Sequence, residues 1–195
     1  MFVIVRHGNT FGAGEEPRRI GARTDLPLTP AGVAQGHALG RHFATLDWRF
    51  RHILVSPLAR TRETARAILE HQPGAPAPEA ADWLREIDHG PDEDQPEHAV
   101  LARIGTAALV AWETRADPPP GWTVEAEMRK TAWRRLFAQD DGPTLLVTSN
   151  GAARFALLAC SPEMAGNLKL PTGGFGVIRK RADGAPEVLQ WGKRP

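Results

Sequence analysis

Phe2-Val3-Ile4-Val5 opens the chain with an unbroken apolar run, three of its four residues β-branched. Such a run predicts a short strand buried on both faces. Ile53-Leu54-Val55 and Thr144–Thr148 repeat the pattern. Helical periods fill the space between. Thr29 is placed to N-cap and Pro30 to occupy the first helical position, with a helix running towards Leu46. Its expected inward stripe is Val33, Ala34, His37, Ala38, Leu39 and Phe43. Ser56 is expected to cap, and Pro57 to open, a second helix reaching about Glu70. The Pro- and Gly-rich stretch Gln72–Pro78 reads as a surface loop. Residues 97–116 and 124–138 have helical character, and Pro118-Pro119-Pro120-Gly121 separates them because no helix crosses it. A further helix follows the third strand through about Ala159. Phe175–Arg181 and Glu187–Trp191 predict a hairpin around Ala182-Asp183-Gly184-Ala185. Strands alternating with helices predict an α/β fold. The expected form is a three-layer α/β/α sandwich with a mostly parallel central sheet and a C-terminal hairpin.

Composition narrows the class. A chain of 195 residues can bury one sizeable core, so a single domain over 1–195 is expected. A net charge of +1 gives no basis for nucleic-acid or anionic-membrane partners. No stretch has the length of a membrane span, and the N-terminus opens directly into a strand. Cys160 is the sole cysteine, which rules out an internal disulfide and fits a reducing, cytoplasmic setting.

The first strand runs straight into Arg6-His7-Gly8-Asn9-Thr10. Open α/β sheets form their ligand crevices at the carboxyl ends of strands, so Arg6 and His7 would emerge into one. Phosphoryl transfer needs positive groups around the equatorial oxygens, an in-line nucleophile and a proton donor for the leaving oxygen. A neutral imidazole attacks phosphorus without first losing a proton, which suits His7. Arg6 offers a rigid fork of donors for phosphate oxygens. Arg60, one turn into the second helix, could reach the same crevice; spacing alone equally allows a surface arginine beside Arg62 and Arg66. Glu86 is the candidate acid–base, with Asp88 its nearest rival. Other chemistries lack their signatures. No arginine stands six positions beyond Cys160, Gly12-Ala13-Gly14 lacks the strand and third glycine of a dinucleotide fingerprint, and neither a P-loop nor a Gly-x-Ser-x-Gly elbow is present.

Taken in order, four segments resemble the histidine phosphatases of the phosphoglycerate mutase-like superfamily. Arg6 to Thr10 resembles the opening Arg-His-Gly-x-Thr. Asp25-Leu26-Pro27-Leu28-Thr29-Pro30-Ala31-Gly32 with Gln35, then Ser56-Pro57-Leu58-Ala59-Arg60 with Thr64-Ala65, resemble the next two blocks. Leu84-Arg85-Glu86 resembles a Leu-x-Glu block. The resemblance covers roughly residues 1–90 and 143–180. It implies a phosphoglycerate mutase-like fold and a phosphohydrolase working through phospho-His7, with no metal or other cofactor. It selects Glu86 over Asp88 as acid–base, with a carboxyl pKa raised beside bound phosphate. Arg6, Arg60, Asn9, Asn150 and Gly151 would hold the phosphate of a small-molecule ester, or a free phosphate or sulfate ion.

Two departures accompany the resemblance. Ser149-Asn150-Gly151 stands where relatives carry a second histidine, so a neutral amide replaces a charged donor. That exchange removes on the order of 1–2 kcal/mol, roughly a tenfold slower reaction. Ala13 stands where many relatives place an asparagine, and Asn9 in the same loop offers partial compensation. Arg18, Arg19 and Arg23 form a basic patch expected to flank the substrate. Asp88, His89, Asp92, Glu93, Asp94, Glu97 and His98 make an acidic loop, read as solvated rather than metal-binding; His89 could swing in to replace the missing charge. Two alternatives stay open: a catalytically weakened module that binds a phosphorylated ligand, and a phosphoglycerate mutase. Substrate identity and oligomeric state are not encoded in any pattern found.

Overall fold

The computed structural model describes residues 1–139, 142–161 and 166–195. The strands are β1 (Phe2–Arg6), β2 (His52–Val55), β3 (Glu79–Ala80), β4 (Thr144–Thr148), β5 (Phe175–Lys180) and β6 (Pro186–Lys193). The helices are α1 (Pro30–Thr45), α2 (Ala59–Leu69), α3 (Glu97–Arg115), α4 (Ala126–Ala138) and α5 (Asn150–Cys160). The strands form one sheet in the order β3-β2-β4-β1-β5-β6. β1 and β2 both pair parallel to β4, and β3 pairs parallel to β2. β5 alone runs against the rest, antiparallel to β1 and β6. The C-terminal hairpin lies where its turn residues placed it, with the Arg181 N–H donating to Ala185 O at 2.8 Å.

Alternation along the strands divides the core between two faces. Val3, Val5, Leu145 and Val147 pack with Leu39, Phe43, Ala65 and Ile68 of α1 and α2. Phe2, Ile4 and Leu146 face Trp133, Phe137, Phe155 and Leu157 of α4 and α5. The result is the expected α/β/α sandwich. Parallel strands align their carboxyl ends, so Arg6-His7 after β1, Ser56 after β2 and Ser149-Asn150 after β4 all leave the sheet at one edge.

Local structure departs from expectation in four places, each for a tertiary reason. The inward face of α1 is Gly32, Gly36, Leu39, Gly40 and Phe43, whereas Ala34 is exposed and Val33, His37 and Ala38 are half-buried. Glycines at four-residue spacing let α2 approach α1 closely: a Cβ on Gly36 would stand 2.7 Å from the Ala67 Cβ. The second helix begins at Ala59, not Pro57, and Ser56 does not cap it. Asp25 from a distant loop accepts the Ala59 N–H instead, at 2.7 Å. The helix predicted over 97–116 is interrupted at Gly105, whose φ of 79° is non-helical. Finally, Glu79–Ala80 adds a two-residue edge strand that no hydrophobic pattern announced.

Candidate active site

His7 is gripped by backbone on both sides. Its N–H donates to Thr148 O and its carbonyl accepts from the Gly173 N–H, each at 3.0 Å. The turn after it is held by the motif residues: Gly8 N–H donates to Thr64 Oγ1 at 3.1 Å, Asn9 N–H to Gln35 Oε1 at 2.9 Å, and Thr29 N–H to Asn9 O at 2.9 Å. The imidazole is buried, 4% exposed. Its Nδ1 lies 2.8 Å from Gly8 O. A carbonyl can only accept, so Nδ1 carries the proton and Nε2 keeps its lone pair. Burial, reinforced by the Arg60 and Arg6 guanidinium groups, pushes the His7 pKa well below its ordinary value. At neutral pH the ring is an uncharged base with Nε2 free, the form a nucleophile needs.

Glu86 follows a 3₁₀ turn, Asp82–Leu84, that is tied to β4 through Thr148 Oγ1 donating to Leu84 O at 2.5 Å. Its Oε1 accepts from the Ile87 N–H at 2.9 Å and its Oε2 from the Gly151 N–H at 3.0 Å. Burial by itself raises the Glu86 pKa, but His89, the Gly151 and Ile87 N–H groups and Arg60 outweigh it and hold the carboxyl below its ordinary value. The raised pKa expected for Glu86 is therefore not a property of the ligand-free site. Hydrogen bonds to the charged form and neighbouring cations decide the sign. Four buried arginines, Arg6, Arg60, Arg129 and Arg154, share Glu86 as a stabilising negative neighbour. Arg60 is also offset by Asp25 and Glu93, Arg129 by Glu125 and Arg154 by Glu113, whereas Glu86 is the one carboxylate acting on Arg6 among the described residues.

A cleft of 370 Å³ opens over these groups, lined by Arg6, His7, Glu86, Asn150, Gly151 and Arg154 on its floor. Asn9, Arg18, Arg19 and His89 also face it. Arg6 Nη1 donates to Leu170 O at 2.9 Å, and the Leu170 N–H donates to Asn150 Oδ1 at 2.8 Å. With Oδ1 engaged, Nδ2 is the end of the Asn150 amide left to donate. Arg6 Nε, Arg60 Nε and Ser149 Oγ are buried with no hydrogen-bond partner among the described residues. Unpaired buried donors are costly; of these three residues Arg6 lines the cleft, where an anion with acceptor oxygens suits it.

The family model described as "Histidine phosphatase superfamily (branch 1)" matches residues 2–193. The chain belongs to the histidine phosphatase superfamily. Relatives agree with that membership. A probable phosphoglycerate mutase, GpmB of Klebsiella pneumoniae, is 40% identical over 87 residues, covering 45% of this chain and 38% of that protein. GpmB of Yersinia pestis is 26% identical over 141 residues, covering 60% of this chain and 64% of the relative. In both cases the match spans less than two thirds of the relative's own length. Among solved structures, mycobacterial glucosyl-3-phosphoglycerate phosphatase superposes with a TM-score of 0.81 at 20% identity, covering 100% of this chain and 99% of the other. A phosphoserine phosphatase mutant from Entamoeba histolytica, in complex with phosphoserine, gives 0.76 at 19% identity over 98% of this chain and 96% of that one. These two likenesses establish the shared fold.

Within this histidine phosphatase fold, the residues singled out in the sequence separate into groups. Arg6, His7, Asn9, Glu86, His89 and Asn150 meet at the cleft. Arg60 lies beneath it, fully buried, with Nη1 and Nη2 donating to Thr24 O and Gly21 O at 2.7 and 3.0 Å. Gly151 serves Glu86 rather than an open cradle: its N–H is taken by the Glu86 carboxylate, and a Cβ there would stand 3.0 Å from the Glu86 carboxyl carbon. Arg18 and Arg19 reach the rim but are paired with Asp94 and Glu97. Arg23 turns away from the cleft to Asp88, at 3.1 Å, because that carboxylate lies on the outer side of the loop. Asp88 itself does not line the cleft, so it is not placed to rival Glu86. Arg154 and Leu170 were not anticipated. For Arg154 the sequence did hold a signal: it stands four residues after Asn150, one turn along the same helical face.

The acidic loop is only in part the solvated segment expected: Glu97 and His98 are exposed, whereas Asp92 and Glu93 are drawn into the fold. Asp92, 2% exposed, takes Arg103 and, at 2.7 Å, the Trp122 Nε1–H. Glu93 Oε1 accepts from the N–H groups of Gly21, Arg23 and Thr24 and from Thr24 Oγ1, at 2.8 to 3.0 Å. The loop thus pins the 18–24 segment over the cleft edge. Burial opposes the Glu93 charge, but the hydrogen bonds with His89 and Thr24 win and lower its pKa to about 2. A depressed carboxylate pKa stabilises the fold above the ordinary value near 4.5, and that stabilisation is lost as pH falls towards 2. Glu93→Gln is expected to cost about 1–2 kcal/mol at pH 7 after allowance for solvent screening. Urea unfolding should show the difference from wild type shrinking steadily between pH 5 and 2.5. A constant difference across that range would mean the charge is not what matters.

Proposed function

We propose that residues 1–195 act as one domain that hydrolyses small-molecule phosphate monoesters through a phosphohistidine on His7, with Asn150 standing where relatives carry a second histidine. The observation that carries this reading is the His7 ring itself. It is neutral, tautomerically fixed by Gly8 O, and set in a cleft with Glu86, Arg6 and Arg154. When a phosphate dianion enters beside Glu86, its charge offsets the cations that depress the carboxyl, and Glu86 takes up a proton from solvent. Nε2 then forms the N–P bond as the ester P–O bond breaks, and Glu86 protonates the leaving oxygen. As a carboxylate once more, Glu86 removes a proton from the water that attacks phosphorus and frees the histidine. Arg6, Arg60 and the Asn150 amide oppose the charge on the equatorial oxygens. The setting is taken to be cytoplasmic, in keeping with a lone cysteine, and no helix among the described residues is long and apolar enough to cross a membrane.

The neutral Asn150 favours a second reading, a phospho-ligand-binding module with weakened turnover. Glu86, held by two N–H donors at the cleft floor, favours catalysis, since binding needs no proton donor. A mutase reading has only the partial GpmB matches behind it. The test is to mix the protein with an aryl phosphate, quench in base and map phosphate by mass spectrometry. Phosphate on His7 is expected. Turnover with no phosphate on any histidine would remove the phosphohistidine from the mechanism. Absent turnover together with tight phosphate binding would support the binding module.

A further inference from the structure

Arg154 combines burial, charge and an unused donor at the reacting centre. It leaves α5 one turn after Asn150 and lines the same cleft as His7, Arg6 and Glu86. The side chain is 2% exposed, and its guanidinium carbon stands 3.9 Å from the centroid of the Trp112 ring. Nη1 donates to Trp112 O, and Nε to Asn150 O at 3.4 Å. Among the described residues its hydrogen bonds use Nη1 and Nε and leave Nη2 without an acceptor, while Glu86 and Glu113 act on it only from beyond ion-pair distance. Neutral carbonyls and a ring face orient this cation without discharging it. Packing alone does not account for it: an apolar side chain would fill the space beside Trp112 without the cost of burying a charge. The orientation is informative, because the two fixed nitrogens define the plane of the fork and leave its third nitrogen unengaged.

We propose that Arg154 is a catalytic residue whose free Nη2 meets the transferring phosphoryl oxygens, supplying the positive charge that the neutral amide of Asn150 lacks. This rests on the phosphoryl-transfer reading above. The guanidinium gives up no proton. It opposes charge on the equatorial oxygens while the N–P bond forms at His7 and the ester P–O bond breaks. Its stack on Trp112 and its bond to the Asn150 carbonyl pre-orient it, so little reorganisation accompanies the transition state. The charge lost at the first residue of α5 is thereby returned one turn later.

The experiment compares wild type, Arg154→Gln, Asn150→His and the double variant for turnover of an aryl phosphate and for inhibition by orthovanadate and inorganic phosphate. Arg154→Gln is expected to lower kcat about 10²-fold and to weaken vanadate binding more than phosphate binding. Asn150→His should return about tenfold in the Arg154→Gln background and less in wild type, because either cation serves the same oxygens. An equal effect of Asn150→His in both backgrounds overturns the proposal. Arg154→Lys separates charge from packing: it keeps the cation but loses the planar stack. It should hold turnover within about tenfold of wild type even where its melting temperature drops as far as that of Arg154→Gln. Lysine losing as much turnover as glutamine also overturns the proposal. Should wild type turn over nothing, the hydrolase reading fails by itself, and vanadate affinity across the four proteins still decides the role of Arg154.

Discussion

His7→Ala is expected to lower kcat for an aryl phosphate by on the order of 10⁴-fold or more. The ring's Nδ1 is spent on Gly8 O, which leaves its Nε2 as a free base beside Arg6 and Glu86 at the cleft floor. His89 also faces the cleft, but its ring packs edge-on against Trp122 with centroids 4.5 Å apart, and its Nδ1 is 3.5 Å from Glu93. It is therefore held by its own neighbours and is not free to take over the attack. What survives in the alanine variant is direct attack by water, with Glu86 as base and the arginines still opposing phosphate charge. Stability should change far less than activity, because the ring is neutral and the backbone bonds to Thr148 and Gly173 do not involve it. Steady-state kinetics with a melting curve checks both statements. Retention of more than about a hundredth of wild-type kcat would mean that His7 positions water instead of forming a covalent bond.

The largest stability effect is expected one residue later. Gly8 crosses Gly32 of α1 at backbone contact: a Cβ on Gly8 would lie 2.7 Å from the Gly32 Cα, and one on Gly32 would lie 2.8 Å from Asn9 N. Two glycines meet because neither chain has room for a side chain on the other. Gly8→Ala must push the His7 loop off the start of α1. The loop is stretched between Thr64 Oγ1, Gln35 Oε1 and Thr29, so it cannot yield without losing those bonds. A cost of about 3 kcal/mol is expected, together with a marked loss of turnover as His7 leaves register with Glu86. Urea unfolding reads the first and kinetics the second. A stable, active Gly8→Ala would show that the crossing tolerates separation and that the glycine pair serves no positioning role.

The family motifs acquire physical meaning at this crossing. Thr29 caps α1 and binds Asn9 O; Gln35 and Thr64 take the N–H groups of Asn9 and Gly8. Asp25 caps α2 from 34 residues away, and Glu63 takes the Leu28 N–H at 2.7 Å. None of Asp25, Thr29, Gln35, Glu63 and Thr64 lines the cleft. They build the backbone that presents His7, which is why their spacing was readable as a family pattern while their individual tasks were not.

From the sequence alone came everything that depends on neighbours a few residues apart: the apolar strands, the capped start of α1, the hairpin turn, and the Arg6-His7 pair placed at a strand end. These follow from side-chain periodicity and local backbone chemistry, which act whatever the rest of the chain does. Tertiary structure decided the remainder. It took the Gly151 N–H for Glu86, held the ligand-free Glu86 carboxyl below its ordinary pKa, buried Glu93 under the 21–24 backbone and turned Arg23 outward. It also carried Arg154 onto Trp112, 42 residues away in the chain. Charges and hydrogen bonds of that kind depend on which distant groups fold alongside one another and on how much water is left between them, and no local pattern records either.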